Sequence, residues 1–275
     1  MQEIFRRFLL EPDLSAEELV ARSARELGGE AGAGLLVELW KQIHAAIEAN
    51  GRQLGFALGT EYASRRTLVR PLVPDASELL PEERDWWQAY TFGGDLRFGH
   101  AHLFRGEGGL PGEGWYQLNH ERSVRAATVF QQAAARLQEF LRNHPREART
   151  HPYLSAHQRQ IRLLGFIYAT GANLYDGQRI LDKYSRKAIE DSYKQQVEAD
   201  LARFQGVVQS EIENTEALRR FLEEGGDIGM ILLPHETTWG FSRNLPELLR
   251  RKSEIMRRRL PEVRAVLYRW FDSEY

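Results

Sequence analysis

His100 and His102 flank a single alanine. In an extended strand, residues i and i+2 point to the same side. Both imidazoles could then reach one metal ion, with His120 beside Glu121, or His235 beside Glu236, completing the set. A bare H-x-H fixes no third ligand by spacing. The alternative is that one histidine bonds backbone and the other lies near a cleft. A second group is His235-Glu-Thr-Thr-Trp239-Gly-Phe. An imidazole, a carboxylate and an indole on one tight loop are what a sugar site uses: the indole stacks on the apolar face of a pyranose and the polar groups bond its hydroxyls. The competing account is a packed interhelical loop with Trp239 in the core. Trp115, at the end of a glycine-rich stretch, is a further aromatic candidate. His235, Glu236, Trp239, His100, His102 and Trp115 are therefore the expected substrate-binding residues.

Catalytic residues stay unassigned. Glycoside hydrolysis needs two carboxyl groups about 5 Å or about 6.5–9.5 Å apart. Glu61, Glu113, Glu121 and Glu236 are possible members, but nothing pairs any two of them among 39 acidic residues. There is no G-x-S-x-G, no phosphate loop and no dinucleotide fingerprint. The absence of cysteine excludes disulfides, thiolate nucleophiles and cysteine-based zinc sites. No cofactor is called for. A net charge of -2 gives no bulk pull toward nucleic acid or membrane. The runs Arg250-Arg251-Lys252 and Arg257-Arg258-Arg259 alternate with Glu247, Glu254 and Glu262, as a solvated helix face does. No apolar run approaches the roughly 20 residues of a membrane span. The segment Met1-Gln-Glu-Ile-Phe-Arg-Arg-Phe is too charged for a signal peptide. Its abrupt amphipathic start suggests an excised piece. The compartment stays open, cytoplasmic if Met1 is the natural start.

These side chains hang on a helical frame organised around Leu154 to Glu224, which reads as two long helices. In the second, Ile189, Tyr193, Val197, Leu201, Phe204, Val208, Ile212, Leu218 and Leu222 step by three and four along one stripe. Lys194, Glu198, Arg203, Glu211, Glu213 and Arg219 are expected on the other face, solvated or in contact with a domain. Gly171 and Gly177 leave room for a kink in the first helix. Ahead of this pair, residues 2–10 form a short helix. Ser15 with Glu18 offers a capping box for a helix that stops at Gly28-Gly29. Leu36, Leu39, Trp40, Ile43 and Ile47 then pattern a third helix, ended by Asn50-Gly51. Eleven of the 23 glycines fall between Gly51 and Gly114, with Trp86, Trp87 and Trp115. Thr67 to Pro74 is expected to be extended, and Pro81 opens a short helix. Ser123 to Asn143 is helical, with Val129, Phe130, Leu137 and Leu141 inward. His144-Pro145 and His151-Pro152 break the chain. Gly225-Gly226 caps the long pair, and Pro246 opens a helix running to Leu260.

Two stretches carry a family likeness. Phe5-Arg-Arg-Phe-Leu-Leu-Glu-Pro-Asp-Leu-Ser-Ala-Glu-Glu-Leu, followed by Ala31 to Ile47, resembles the segment that starts the C-terminal helical domain after the (β/α)8 barrel in multidomain glycoside hydrolases. Glu211 to Glu224, a glycine break, an aromatic loop and Pro246-Glu-Leu-Leu-Arg-Arg-Lys are similar to the end of that domain. Residues 51–120 depart from it. The resemblance implies a domain that packs beside a catalytic barrel and lends residues to the rim of the sugar site. It sets His235, Glu236 and Trp239 where the last loop faces the barrel. A barrel needs at least about 200 residues, and no βαβ alternation here would build one.

The expectation is a mainly α fold: a single helical domain over 1–275, with N-terminal helices at 1–50, an irregular Gly/aromatic-rich insert at 51–122 and a helical bundle at 123–275 built on a long antiparallel pair. The expected function is a helical accessory portion of a carbohydrate-active enzyme, contributing to sugar subsites and packing on a catalytic barrel. Its expected partners are a carbohydrate or other small ligand and that barrel, without nucleic acid or membrane. Two alternatives stand: a stand-alone hydrolase, metal-dependent through His100 and His102, and a non-catalytic helical interaction module.

Overall fold

The computed structural model describes residues 14–49, 68–74, 79–83, 113–185, 196–225, 232–233, 241–242, 244–265 and 268. The fold is mainly α. Helix α1 spans Ala16–Ala49, α2 Glu113–Asn143, α3 Pro145–Thr150, α4 Pro152–Ser185, α5 Val197–Glu223 and α6 Leu245–Arg259. A 3-10 turn, Leu260–Glu262, follows α6, and the two-residue strands β1 (Leu232–Leu233) and β2 (Phe241–Ser242) pair in parallel. The chain divides into two compact units. One holds Met1–Arg52, Ala126–Gly165 and Gly226–Gly229; the other holds Gln53–Arg125, Phe166–Gly225 and Met230–Tyr275. Helices α2 and α4 therefore contribute residues to both.

In the first unit, Ser15 and Glu18 form the expected reciprocal cap. The Glu18 N–H donates to Ser15 Oγ at 3.2 Å, and the Ser15 N–H donates to Glu18 Oε2 at 3.0 Å. The cap bonds hold the Glu18 carboxyl below its ordinary range, the Ser15 hydroxyl contributing most. Helix α1 breaks where the glycines predict. Gly29 adopts φ 64° and ψ -178°, a region only glycine enters freely. A Cβ there would also lie 2.9 Å from His151 Nε2. The buried face of α2 in this unit is richer in alanine than its leucines suggest. Ala126, Ala127, Ala133 and Ala134 are buried with Phe130, Leu137 and Phe140, while Val129 and Leu141 are only half-buried. Small side chains at helical spacing let neighbouring backbones approach closely.

In the second unit, α4 and α5 form the antiparallel pair. Asn214 Nδ2 donates to Phe166 O at 3.1 Å and Arg203 Nε to Asp176 Oδ2 at 2.9 Å, while Lys183 Nζ reaches Asp200. Partners descend α5 as they ascend α4. From Phe166 to Leu181, α4 is buried on nearly every side, the pattern of a central helix. It runs unbroken. Gly177 is there for close approach: a Cβ would meet the Leu72 side chain at 2.9 Å. The α5 stripe packs as its spacing predicts over Val197, Leu201, Phe204, Val208, Ile212 and Leu218, with Phe221 buried and Leu222 half-buried. Ile189 and Tyr193 lie outside the described residues.

The insert differs from expectation in its described parts. Leu68 and Val69 are helical rather than extended, and Leu68 to Pro74 is wholly buried. Its apolar residues join the core because α4 needs cover on its remaining sides. At the other end, α2 begins at Glu113, ten residues before Ser123, so Trp115, His120 and Glu121 stand on a helix. Gly225, at φ 72°, ends α5 with its N–H donating to Leu222 O at 3.1 Å. Pro246 lies in the first turn of α6. Among the described residues no helix is long and apolar enough to cross a membrane.

Candidate functional site

The second unit contains two polar clusters of opposite character. The first is sealed. Glu211, read from sequence on a solvated or domain-contacting face, and Lys252, read on a solvated one, are 0% exposed and form an ion pair. Charge is costly to bury unless every lone pair and proton is answered. Thr170 Oγ1 donates to Glu211 Oε1 at 2.9 Å and Asn173 Nδ2 to Oε2 at 2.8 Å. Lys252 Nζ also donates to Leu68 O at 2.9 Å. Asn214 Nδ2 in turn donates to Thr170 Oγ1 at 2.9 Å, which orients that hydroxyl toward the carboxylate. Burial lowers the Lys252 pKa from its ordinary value, against the opposing pull of Glu211. The cluster ties α4, α5, α6 and the Leu68 backbone together. With its ion pair 0% exposed, it fixes the packing of four segments.

The second cluster is open. Asp176, buried on α4, is clasped by two arginines. Arg179 approaches Oδ1 through Nε at 3.3 Å and Nη2 at 3.1 Å. Arg203, from α5, approaches through Nε at 3.1 Å from Oδ1 and 2.9 Å from Oδ2. The Asp176 bond raises the Arg203 pKa further above its ordinary value. Arg179 Nη1 also donates to Glu113 Oε1 at 2.7 Å. One turn away, Trp115 meets Tyr175 edge to face with ring centroids 5.5 Å apart, and the indole residue is 40% exposed. Burial pushes the Tyr175 phenol well above its ordinary range and the nearby Tyr168 phenol to about 12. Both therefore stay neutral at any physiological pH.

Of the expected site residues, Trp115 falls in this open cluster. His100, His102, His235, Glu236 and Trp239 lie outside the described residues. In sequence, the last three fall between β1 and β2. His120 is half-buried on α2 with Nδ1 3.0 Å from Ala172 O, so its ring is oriented by backbone. Glu121 is exposed and accepts from Gln117 Nε2 at 3.0 Å. Among the described residues no group of three or more His, Cys, Asp or Glu could hold a metal ion. The basic residues of α6 are matched by acids: Arg250 by Glu247 and Glu254, Arg257 by Glu216, and Arg258 by Glu83. Sequence reasoning missed Asp176, Arg179 and Arg203 as a group. Their i, i+3 spacing on α4 was a visible signal; the partner on α5 was not. Compared with known protein families, with curated proteins and with solved structures, the chain finds no match in any of the three.

Proposed function

We propose that the chain is a helical, sugar-binding accessory portion of a carbohydrate-active enzyme, bracing a catalytic domain rather than performing hydrolysis itself. The observation that carries this is the contrast between the two clusters. The Glu211–Lys252 ion pair is closed to solvent, while Trp115 is 40% exposed in the same unit as Arg203 and Glu113, whose side chains are 51% and 67% exposed. Sugar-binding surfaces combine an exposed aromatic residue with hydrogen-bonding neighbours. The likeness of the two ends to the helical domain of multidomain glycoside hydrolases supports the same assignment. So do the capped start of α1, its break at Gly29 and the proline-opened α6, which lie in or directly beside those stretches.

The test is electrophoresis of the chain through native gels containing soluble neutral polysaccharides, with reducing ends assayed in parallel. Retardation without new reducing ends is expected. Release of reducing ends that chelator abolishes would instead make this a stand-alone, metal-dependent hydrolase. Unretarded migration in every gel would remove the sugar-binding function.

A further inference from the structure

The first unit carries positive charge that no acid answers. From Phe140 to Gly165 the sequence holds five arginines, no lysine and a single acid, Glu147. Three of the arginines are exposed: Arg142 in the last turn of α2, and Arg146 and Arg149 on α3. Standing three apart on one helix, Arg146 and Arg149 share a face. Among the described residues no ion pair or side-chain hydrogen bond holds any of the three. Glu139 and Glu147, the acids nearest in sequence, do not reach them. By contrast, the exposed Arg250 is paired with Glu247 and Glu254, and the exposed Arg264 with Glu198. We propose that Arg142, Arg146 and Arg149 form a docking surface for an acidic polypeptide segment of a partner protein. The proposal is independent of the sugar-binding function above.

The backbone beneath these arginines is fixed at both ends of α3. His144 and His151 each precede a proline, which keeps them out of the helical region, at φ -126° and -121°. The His144 ring stacks on Phe140 with centroids 4.3 Å apart, and its Nδ1 lies 3.1 Å from Phe140 O. Phe140 in turn packs beside Gly32 of α1, and the His151 ring beside Gly29. A surface already set in place loses little further freedom when a partner arrives. Each guanidinium fork takes a carboxylate through two parallel hydrogen bonds. The composition selects a protein. Interfaces enrich arginine and tyrosine and deplete lysine, whereas nucleic-acid backbones draw on lysine and arginine alike. Tyr153, 75% exposed, follows Arg149 by four residues. Four residues span at most about 14 Å, so the stretch from Arg142 to Tyr153 fits inside one interface of about 20–30 residues a side. The net charge of -2 gives nucleic acid no bulk attraction.

The experiment is fluorescence anisotropy of the full chain with labelled poly-L-glutamate and, separately, with labelled oligothymidylate of equal charge. The variants are Arg146→Ala with Arg149→Ala, Arg142→Ala alone and, as a control, Arg250→Ala. The control changes the net charge as much as Arg142→Ala does, but at an arginine whose charge Glu247 and Glu254 already answer. Poly-L-glutamate is expected to bind wild type, more weakly as salt rises. The double variant should weaken it by about tenfold or more, Arg142→Ala by less, and Arg250→Ala should leave it unchanged. Thermal melting checks that each variant folds; should the double variant not fold, Arg146→Ala alone decides in its place. Absence of poly-L-glutamate binding, an unchanged Kd in the folded double variant, or an equal loss in Arg250→Ala overturns the docking surface. Tighter binding of oligothymidylate that the double variant abolishes makes the partner a nucleic acid and overturns the protein assignment. None of these outcomes bears on retardation by neutral polysaccharides, so the two proposals fail separately.

Discussion

Glu211 and Lys252 stabilise the second unit only as a pair. Each is fully buried, and each answers the other's charge. Lys252→Met leaves a carboxylate in the core and should cost about 3–5 kcal/mol in urea unfolding, whereas Glu211→Leu with Lys252→Met should recover most of it. A double variant no more stable than the single one would mean that the pair is not the source of the cost. His157 acts in the opposite sense. The Trp40 indole N–H donates to His157 Nε2 at 2.8 Å, which requires neutral imidazole, and burial holds its pKa below the ordinary value. The unfolded chain therefore takes up this proton first as pH falls. Stability from this site is present above about pH 6.5 and declines below it until the folded pKa is passed. Melting wild type and His157→Gln from pH 8 to pH 5 should show the steeper acid loss in wild type; parallel curves would contradict this. At residue scale the candidate site was partly legible. Trp115 stood out by type. Glu211 and Lys252 did not, because helical periodicity assigns a charge to the outer face, and only a partner 41 residues away reverses that.

Helices were legible where local chemistry defines their ends. The Ser15–Glu18 cap, the Gly29 break and the Pro246 start depend on neighbours within one turn. The start of α2 was hidden because Gly112-Glu113-Gly114 reads as loop; packing of Tyr116 and Asn119, both buried, overrides that propensity. Leu68 and Val69 were misread for the same reason in reverse: β-branched and proline content suggested extension, but these two residues are helical and buried. Two predictions belong here. Ser15→Ala should lower stability by about 1 kcal/mol. Gly29→Ala should cost about 1–3 kcal/mol, since it is strained at φ 64° and meets His151 Nε2. A neutral Gly29→Ala would mean that α1 is continuous.

For the whole molecule, the mainly α class follows from periodicities that local structure preserves. Its division into two compact units does not show in the sequence, because α2 and α4 each change unit without a break in pattern. The proposed function assigns binding to the surface rather than the core: the Glu211–Lys252 pair is sealed, and Trp115 is 40% exposed. Native mass spectrometry of the chain with glucohexaose, xylohexaose or mannohexaose tests this most directly, since one spectrum reads both binding and cleavage. The account predicts a complex heavier than the free chain by one intact hexasaccharide, with no shorter sugar in solution. Shortened sugars would make the chain a hydrolase in its own right, and a spectrum of free protein alone with all three sugars would contradict the sugar-binding function.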